Sequence, residues 1–361
     1  MKQAKNTKKY LLVASTEAYS GKSATILGIA EQLQQQGLTI SYAKPIGTEK
    51  ATEVEADIHL IAEKLGLSAD AVYSPVVFLS PETITQVISK NDTTNYPEKI
   101  QANLEQNTTD LVIIEGPGNL WEGGVFNLSV PEMANLIKAE VLLVASYQPL
   151  NLVDVLLKAK QDLAESLLGV IINDIPPTEM ETVSNTLEPF LAEQGIEILG
   201  LIPRNELLRS ISVREITSRL QAQVLCRSDR LDLMVESLAI GAMNVNSAME
   251  YFRKRQNMAV VTGGDRADVQ LAALESSTHC LILTGHVPPQ PFVLSRAEDL
   301  EIPILSVNFD TLSTVEIVDN IFGKVSIKEP IKVQCIQQLM SEYFALDRLI
   351  EKLDLQIPVI T

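Results

Sequence analysis

Tyr10-Leu11-Leu12-Val13-Ala14-Ser15-Thr16-Glu17-Ala18-Tyr19-Ser20-Gly21-Lys22-Ser23 runs from an apolar strand-length segment through a polar turn into Gly-Lys-Ser. The amphipathic pattern Ala24 to Gln36 follows at once. A strand that breaks into Gly-Lys-Ser at a helix start is built to hold phosphate. Gly21 lets the backbone approach closely, Lys22 reaches the β- and γ-phosphates, and the Ser23 hydroxyl ligates Mg²⁺. The free N–H groups and positive end of the helix add to the same attraction. The strict motif wants glycine six residues before the lysine, and Thr16 stands there. Thr16, Gly21, Lys22 and Ser23 are therefore the expected nucleotide contacts.

Working outward, further short apolar runs alternate with amphipathic stretches. Thr39 to Ala43, Leu111 to Ile114, Val141 to Ala145 and Gly169 to Ile172 are rich in Val, Ile and Leu without alternation. That is the pattern of parallel strands buried on both faces. Val54 to Leu65 and Leu152 to Leu167 read as helices between them, and Glu197 to Leu201 as the last strand. Strand, helix, strand in series predicts an α/β fold with a doubly wound parallel sheet. Leu111-Val112-Ile113-Ile114-Glu115-Gly116-Pro117-Gly118 ends a buried strand in a carboxylate and a glycine turn. Ligands of such sheets sit at the strands' carboxyl ends, so Glu115 should face the crevice of Lys22 and hold Mg²⁺.

After Arg204 the texture changes. Residues 206–220 read as a linker helix, 221–325 as a second, smaller α/β domain, and 326–361 as a helical segment with one helix over Val333 to Leu353. The first domain spans 1–205. The chain has 361 residues, 46% of them hydrophobic, which suits two packed domains. A net charge of −17 argues against nucleic acid or an anionic membrane as partner. Three widely spaced cysteines without a CxxC pair fit a reducing, cytoplasmic setting. The basic start followed by a short apolar run reads as a first strand, not a signal peptide.

The first half resembles dethiobiotin synthetase and the related amino-terminal domain of long phosphotransacetylases. The motifs run in the same order: Ser15-Thr16-Glu17 before Gly21-Lys22-Ser23, then Lys44-Pro45-Ile46 with Thr48, Asp57 opening the next helix, Glu115-Gly116-Pro117-Gly118-Asn119, Asn173-Asp174-Ile175-Pro176-Pro177, and Leu199-Gly200-Leu201-Ile202-Pro203. The resemblance implies ATP and Mg²⁺ as cofactors, with Ser23, Asp57 and Glu115 around the metal and Asn173 on the purine base. It implies Lys44 and Thr48 on a small carboxylate substrate, with Lys22 and Lys44 offsetting charge on the transferred phosphate. It also implies a homodimer, because that family builds its substrate site across one.

Departures are visible. Glu17 replaces the usual aspartate, and it stands where partition ATPases carry a second lysine. Pro117 and Asn119 replace small residues, and Asn119 to Val125 holds Trp121, the only tryptophan, expected to pack. Residues 215–325 resemble the DRTGG domain through Val260-Val261-Thr262-Gly263-Gly264-Asp265-Arg266 and Ile240-Gly241-Ala242-Met243, with Asp265 expected to cap a helix. In long phosphotransacetylases this pair precedes an acetyl-transfer domain. Residues 326–361 are too few to form one, so acetyl transfer is not expected of this chain. Three functions follow: an ATP- and Mg²⁺-binding regulatory protein, an ATP-dependent ligase or cyclase acting on a small carboxylate, or a structural scaffold that has lost nucleotide binding.

Overall fold

The computed structural model describes residues 9–47, 51–285, 287–323 and 327–358, with only the backbone of 51–57. The chain forms two compact units, residues 1–204 with 327–361 and residues 205–326.

In the first unit, strands β1 (Lys9–Ser15), β2 (Ile40–Ala43), β3 (Val72–Tyr73), β4 (Leu111–Glu115), β5 (Glu140–Ser146), β6 (Leu167–Ile175) and β7 (Ile198–Pro203) form one sheet. Their spatial order is β3-β2-β4-β1-β5-β6-β7, and every pairing is parallel. Helices α1 (Lys22–Gln35), α2 (Ala51–Lys64), α3 (Tyr96–Glu105), α4 (Val130–Ile137) and α5 (Leu152–Leu163) lie between the strands. Leu12, Ala14, Val112, Ile114, Leu143 and Ala145 face one core with Ile100, Met133 and Leu156 of α3, α4 and α5. Leu11, Val13, Leu111 and Ile113, on the opposite side of the same strands, are buried as well. Burial on both faces is why these strands read as unbroken apolar runs.

The second unit holds helix α6 (Val213–Leu220), strands β8 (Gln223–Cys226), β9 (Ser237–Ile240), β10 (Met258–Gly263), β11 (Thr278–Thr284) and β12 (Ile304–Ser306), and helices α7 (Val245–Phe252), α8 (Ala267–Leu274), α9 (Pro291–Asp299) and α10 (Thr311–Ile321). Its sheet runs β8-β12-β11-β10-β9, with β8 antiparallel to β12 and the rest parallel. α7, α8 and α9 cover one face through Phe252, Val269 and Val293, and α6 and α10 the other through Ile216 and Val318. The mixed α/β architecture with a large parallel sheet is as expected.

Four local expectations are corrected. The stretch 206–220 is not one helix: Glu206–Arg209 is a short turn of helix, Ile211–Ser212 pairs with Met234–Val235, and α6 starts anew. The Ser212 hydroxyl accepts from the Glu215 amide at 3.2 Å, and this cap restarts the helix. The end of the chain is likewise two helices, α11 (Pro330–Tyr343) and α12 (Leu346–Lys352). Phe344 bridges Gly200, and the Ala345 amide donates to the Leu199 carbonyl at 2.8 Å. Pairing with the exposed edge of β7 outweighs one more helical turn. α2 begins at Ala51, which leaves Asp57 inside the helix instead of opening it. Arg266, not Asp265, is the N-cap of α8.

α11 packs on α1, and the contact turns on Gly28. A Cβ there would lie 2.4 Å from Met340 Cγ, so only glycine admits the crossing. Among the described residues no helix is long and apolar enough to cross a membrane.

Candidate nucleotide site

The carboxyl ends of β1, β2 and β4 bring together side chains far apart in sequence. Lys22, the first residue of α1, donates from Nζ to Ser15 Oγ at 2.8 Å. The Ser15 hydroxyl donates in turn to the Gly118 carbonyl at 3.2 Å. Ser23 Oγ donates to Glu115 Oε1 at 3.3 Å. Lys44 Nζ lies 3.4 Å from the same oxygen, and the Tyr42 hydroxyl donates to Glu115 Oε2 at 2.6 Å. Lys44 and Glu115 are both buried, so their charges interact in a poorly screened environment.

Burial lowers the Lys22 pKa below the ordinary lysine value. Glu115 opposes that shift, Lys44 adds to it, and Glu122 opposes it. A half-desolvated ammonium beside a helix N-terminus is a strong site for an anion. The phosphate loop has the same character. Its left-handed residues are Tyr19 (φ 60°) and Gly21 (φ 101°), so the turn does not depend on the glycine missing at Thr16. Thr16 donates its amide to the Val144 carbonyl at 3.3 Å. The Ser20 hydroxyl is buried and has no hydrogen-bond partner among the described residues. An orphaned buried hydroxyl in a phosphate loop is an unmet donor that a phosphate oxygen would satisfy. These residues therefore fit a nucleoside polyphosphate.

Residues 9–212 match the AAA domain family, and residues 215–321 match the DRTGG domain family. The first match covers more than half of the chain. The chain belongs to the AAA domain family.

Curated relatives of this AAA-domain chain include the phosphate acetyltransferase of Synechocystis sp., 26% identical over 310 residues, covering 80% of this chain and 44% of the relative. That of Nitratidesulfovibrio vulgaris is 26% identical over 337 residues, covering 87% and 47%. The chain thus spans about half the length of the curated relatives it matches. A solved structure of the CBS and DRTGG domains of Clostridium perfringens pyrophosphatase, in complex with its activator diadenosine tetraphosphate, overlaps 48% of this chain and 86% of its own. Its identity is 16% and its TM-score 0.30, too low to bear on function.

Several AAA-domain positions took roles that no motif announced. Gln148, in the loop after β5, donates to both carboxylate oxygens of Glu17 at 2.8 and 2.6 Å, which fixes the outer arm of the phosphate loop. The Gly118 amide donates to Glu122 Oε2 in a short contact, and Asn119 Oδ1 accepts from the amides of Trp121 and Glu122 at 3.0 Å each. The loop after β4 thereby places a second carboxylate near Lys22. Trp121, expected to pack, is 54% exposed. Tyr42 was legible only as a strand residue, since nothing in its sequence neighbourhood names Glu115. Asn173 sits at the end of β6, and its Nδ2 donates to the Ser20 carbonyl at 2.8 Å. Thr48 lies outside the described residues, as does the side chain of Asp57.

In the DRTGG domain, the turn after β10 is packed tightly. The Gly264 amide donates to the Thr284 carbonyl at 3.0 Å, and a Cβ on Gly264 would stand 1.8 Å from the Val287 carbonyl oxygen. The motif's second glycine is therefore a steric requirement of the fold.

Proposed function

We propose that the AAA domain binds a purine nucleoside triphosphate, ATP, with Mg²⁺, and that binding serves a regulatory role. The observation that carries the reading is the convergence of Lys22, Ser23 and Glu115 beside the buried Ser20 hydroxyl, which has no hydrogen-bond partner among the described residues. Ser23 and Glu115 supply oxygen ligands of the hard type that Mg²⁺ takes together with phosphate and water. In this reading Asp57 of α2 adds a further carboxylate, and Thr16 and Gly21 line the phosphates. Bound Mg²⁺ would neutralise phosphate charge. Lys22 does the same from the protein side once it leaves Ser15.

Regulation is favoured over ligase chemistry by what fills the neighbouring space. A small carboxylate substrate would call on Lys44 and Thr48, and on backbone amides of the glycine turn after β4. Lys44 is buried against Glu115 at 3.4 Å, and the Gly118 amide already holds the carboxylate of Glu122. An acceptor would have to displace both internal pairs. The relatives are phosphate acetyltransferases about twice as long as this chain, which agrees with a part that binds a ligand on behalf of a larger assembly.

The test is ADP release from MgATP, alone and with diaminononanoate plus bicarbonate. Release should stay at the no-substrate rate. Faster release with that pair would place the chain among the ligases, and failure to bind MgATP at all would remove both readings.

A further inference from the structure

Asn173 is the residue that the family resemblance gives to the purine base. Its surroundings tie it to the phosphate loop instead. Nδ2 donates to the Ser20 carbonyl at 2.8 Å, across 153 residues of sequence. The same amide nitrogen fills the space over Gly21, where an added Cβ would lie 2.5 Å from it. Gly21 is left-handed at φ 101°, and Ser20 just before it carries the buried hydroxyl without a partner among the described residues. One side-chain amide thus holds the carbonyl of one loop residue and covers the Cα of the next.

The Asn173 end of this clamp is itself fixed. The Asn173 carbonyl accepts from the Tyr147 amide at 2.7 Å. Asp174 is left-handed at φ 60°, and Arg204 grips its carboxylate with a two-pronged fork, Nε to Oδ1 at 2.9 Å and Nη2 to Oδ2 at 3.1 Å. The Arg204 amide also donates to the Ile175 carbonyl at 2.7 Å. Bidentate arginine–carboxylate pairs fix orientation as well as distance. The end of β6 is therefore held at Asn173 and at the two residues after it, and the Asn173 side chain is bonded to the loop.

We propose that Asn173 is a positioning residue for the phosphate loop, one that presets the Ser20–Gly21 turn for the polyphosphate irrespective of the base attached to it. The proposal rests on the nucleotide reading above. A positioning role and a base-reading role differ in what they do to a ligand without a base. The test is calorimetric binding of Mg²⁺–tripolyphosphate, MgATP and MgGTP to wild type, Asn173→Leu and Asn173→Ala. Asn173→Leu keeps the approximate shape and removes the donor without adding a charge that would itself repel phosphate.

Both variants should weaken tripolyphosphate and the two nucleotides by a similar factor, about tenfold, the size of one well-placed hydrogen bond. A loss confined to ATP, with tripolyphosphate unchanged, would make Asn173 a base reader and overturn the proposal. Unchanged binding of all three ligands would overturn it too. Should Asn173→Ala fail to fold, the near-isosteric Asn173→Leu still decides the matter: a loss shared by all three ligands supports the clamp, and a loss confined to ATP, or none, refutes it. Wild type that binds neither tripolyphosphate nor ATP would sink the nucleotide reading itself, an outcome separate from any effect of the variants.

Discussion

The Tyr42 hydroxyl donates to Glu115 Oε2 at 2.6 Å, and Glu115 is only 6% exposed. Two neighbouring strands thus share one buried carboxylate at the edge of the crevice. A hydrogen bond to a charged group contributes more than a neutral one, because its loss leaves the charge poorly solvated. Tyr42→Phe should lower the unfolding free energy by about 2 kcal/mol. Chemical denaturation measures it, and a change within experimental scatter would show that the hydroxyl is dispensable.

Lys22 gives a pH dependence whose sign is determined. Burial, the largest cause, lowers its pKa below 10.5, so the ligand-free fold holds fewer protons there than the unfolded chain between the lowered value and 10.5. Stability therefore rises with pH across that window, and below it the cost of burying the ammonium stands in full. Lys22→Met should raise the thermal midpoint of the ligand-free protein near neutral pH while removing nucleotide binding. A lowered midpoint would show that the ion pairing of Lys22 outweighs its desolvation.

Binding should follow the same group in the opposite sense. Phosphate is held by the ammonium form, and a bound anion raises its pKa. MgATP affinity should then fall with rising pH, beginning below the ordinary lysine range. Calorimetry across alkaline pH in buffers of different ionisation heat would also register proton uptake on binding. Affinity that stays flat up to the ordinary lysine value would contradict the assignment.

The α1–α11 crossing can be probed at Gly28. Alanine favours a helix interior over glycine by about 1 kcal/mol. The added methyl, however, falls 2.4 Å from Met340 Cγ and 2.8 Å from Met340 Cβ, too near the root of that side chain to be avoided by rotation. Gly28→Ala should be destabilising overall, by about 1–2 kcal/mol. Adding Met340→Ala should recover part of the loss in a double-mutant cycle.

Much of this architecture was legible along the chain, and the reason is local. β1, β4 and β5 are apolar on both faces, and Gly21-Lys22-Ser23 follows β1 directly, so motif and element are neighbours in sequence. What the local sequence does not carry depends mostly on distant partners. The periodicity of Val333 to Leu353 continues through Phe344 and Ala345, and only the open edge of β7 breaks the helix there. Gln148 as the anchor of Glu17 and Asn173 as the clamp on Ser20 join loops far apart in sequence, while Glu122, four residues from the Gly118 amide it accepts from, stands in a turn that no motif describes. The glycine absent at Thr16 counted as a defect in the motif, yet the turn takes its left-handed geometry from Tyr19 and Gly21.

In the proposed function, Lys22 and its neighbours hold a nucleoside triphosphate with Mg²⁺. Isothermal titration of MgATP into wild type and Lys22→Ala tests it most directly. Saturable binding to wild type and its loss in the variant are expected, with the variant's far-ultraviolet circular dichroism unchanged. Equal binding by both proteins, or none by wild type, would contradict it.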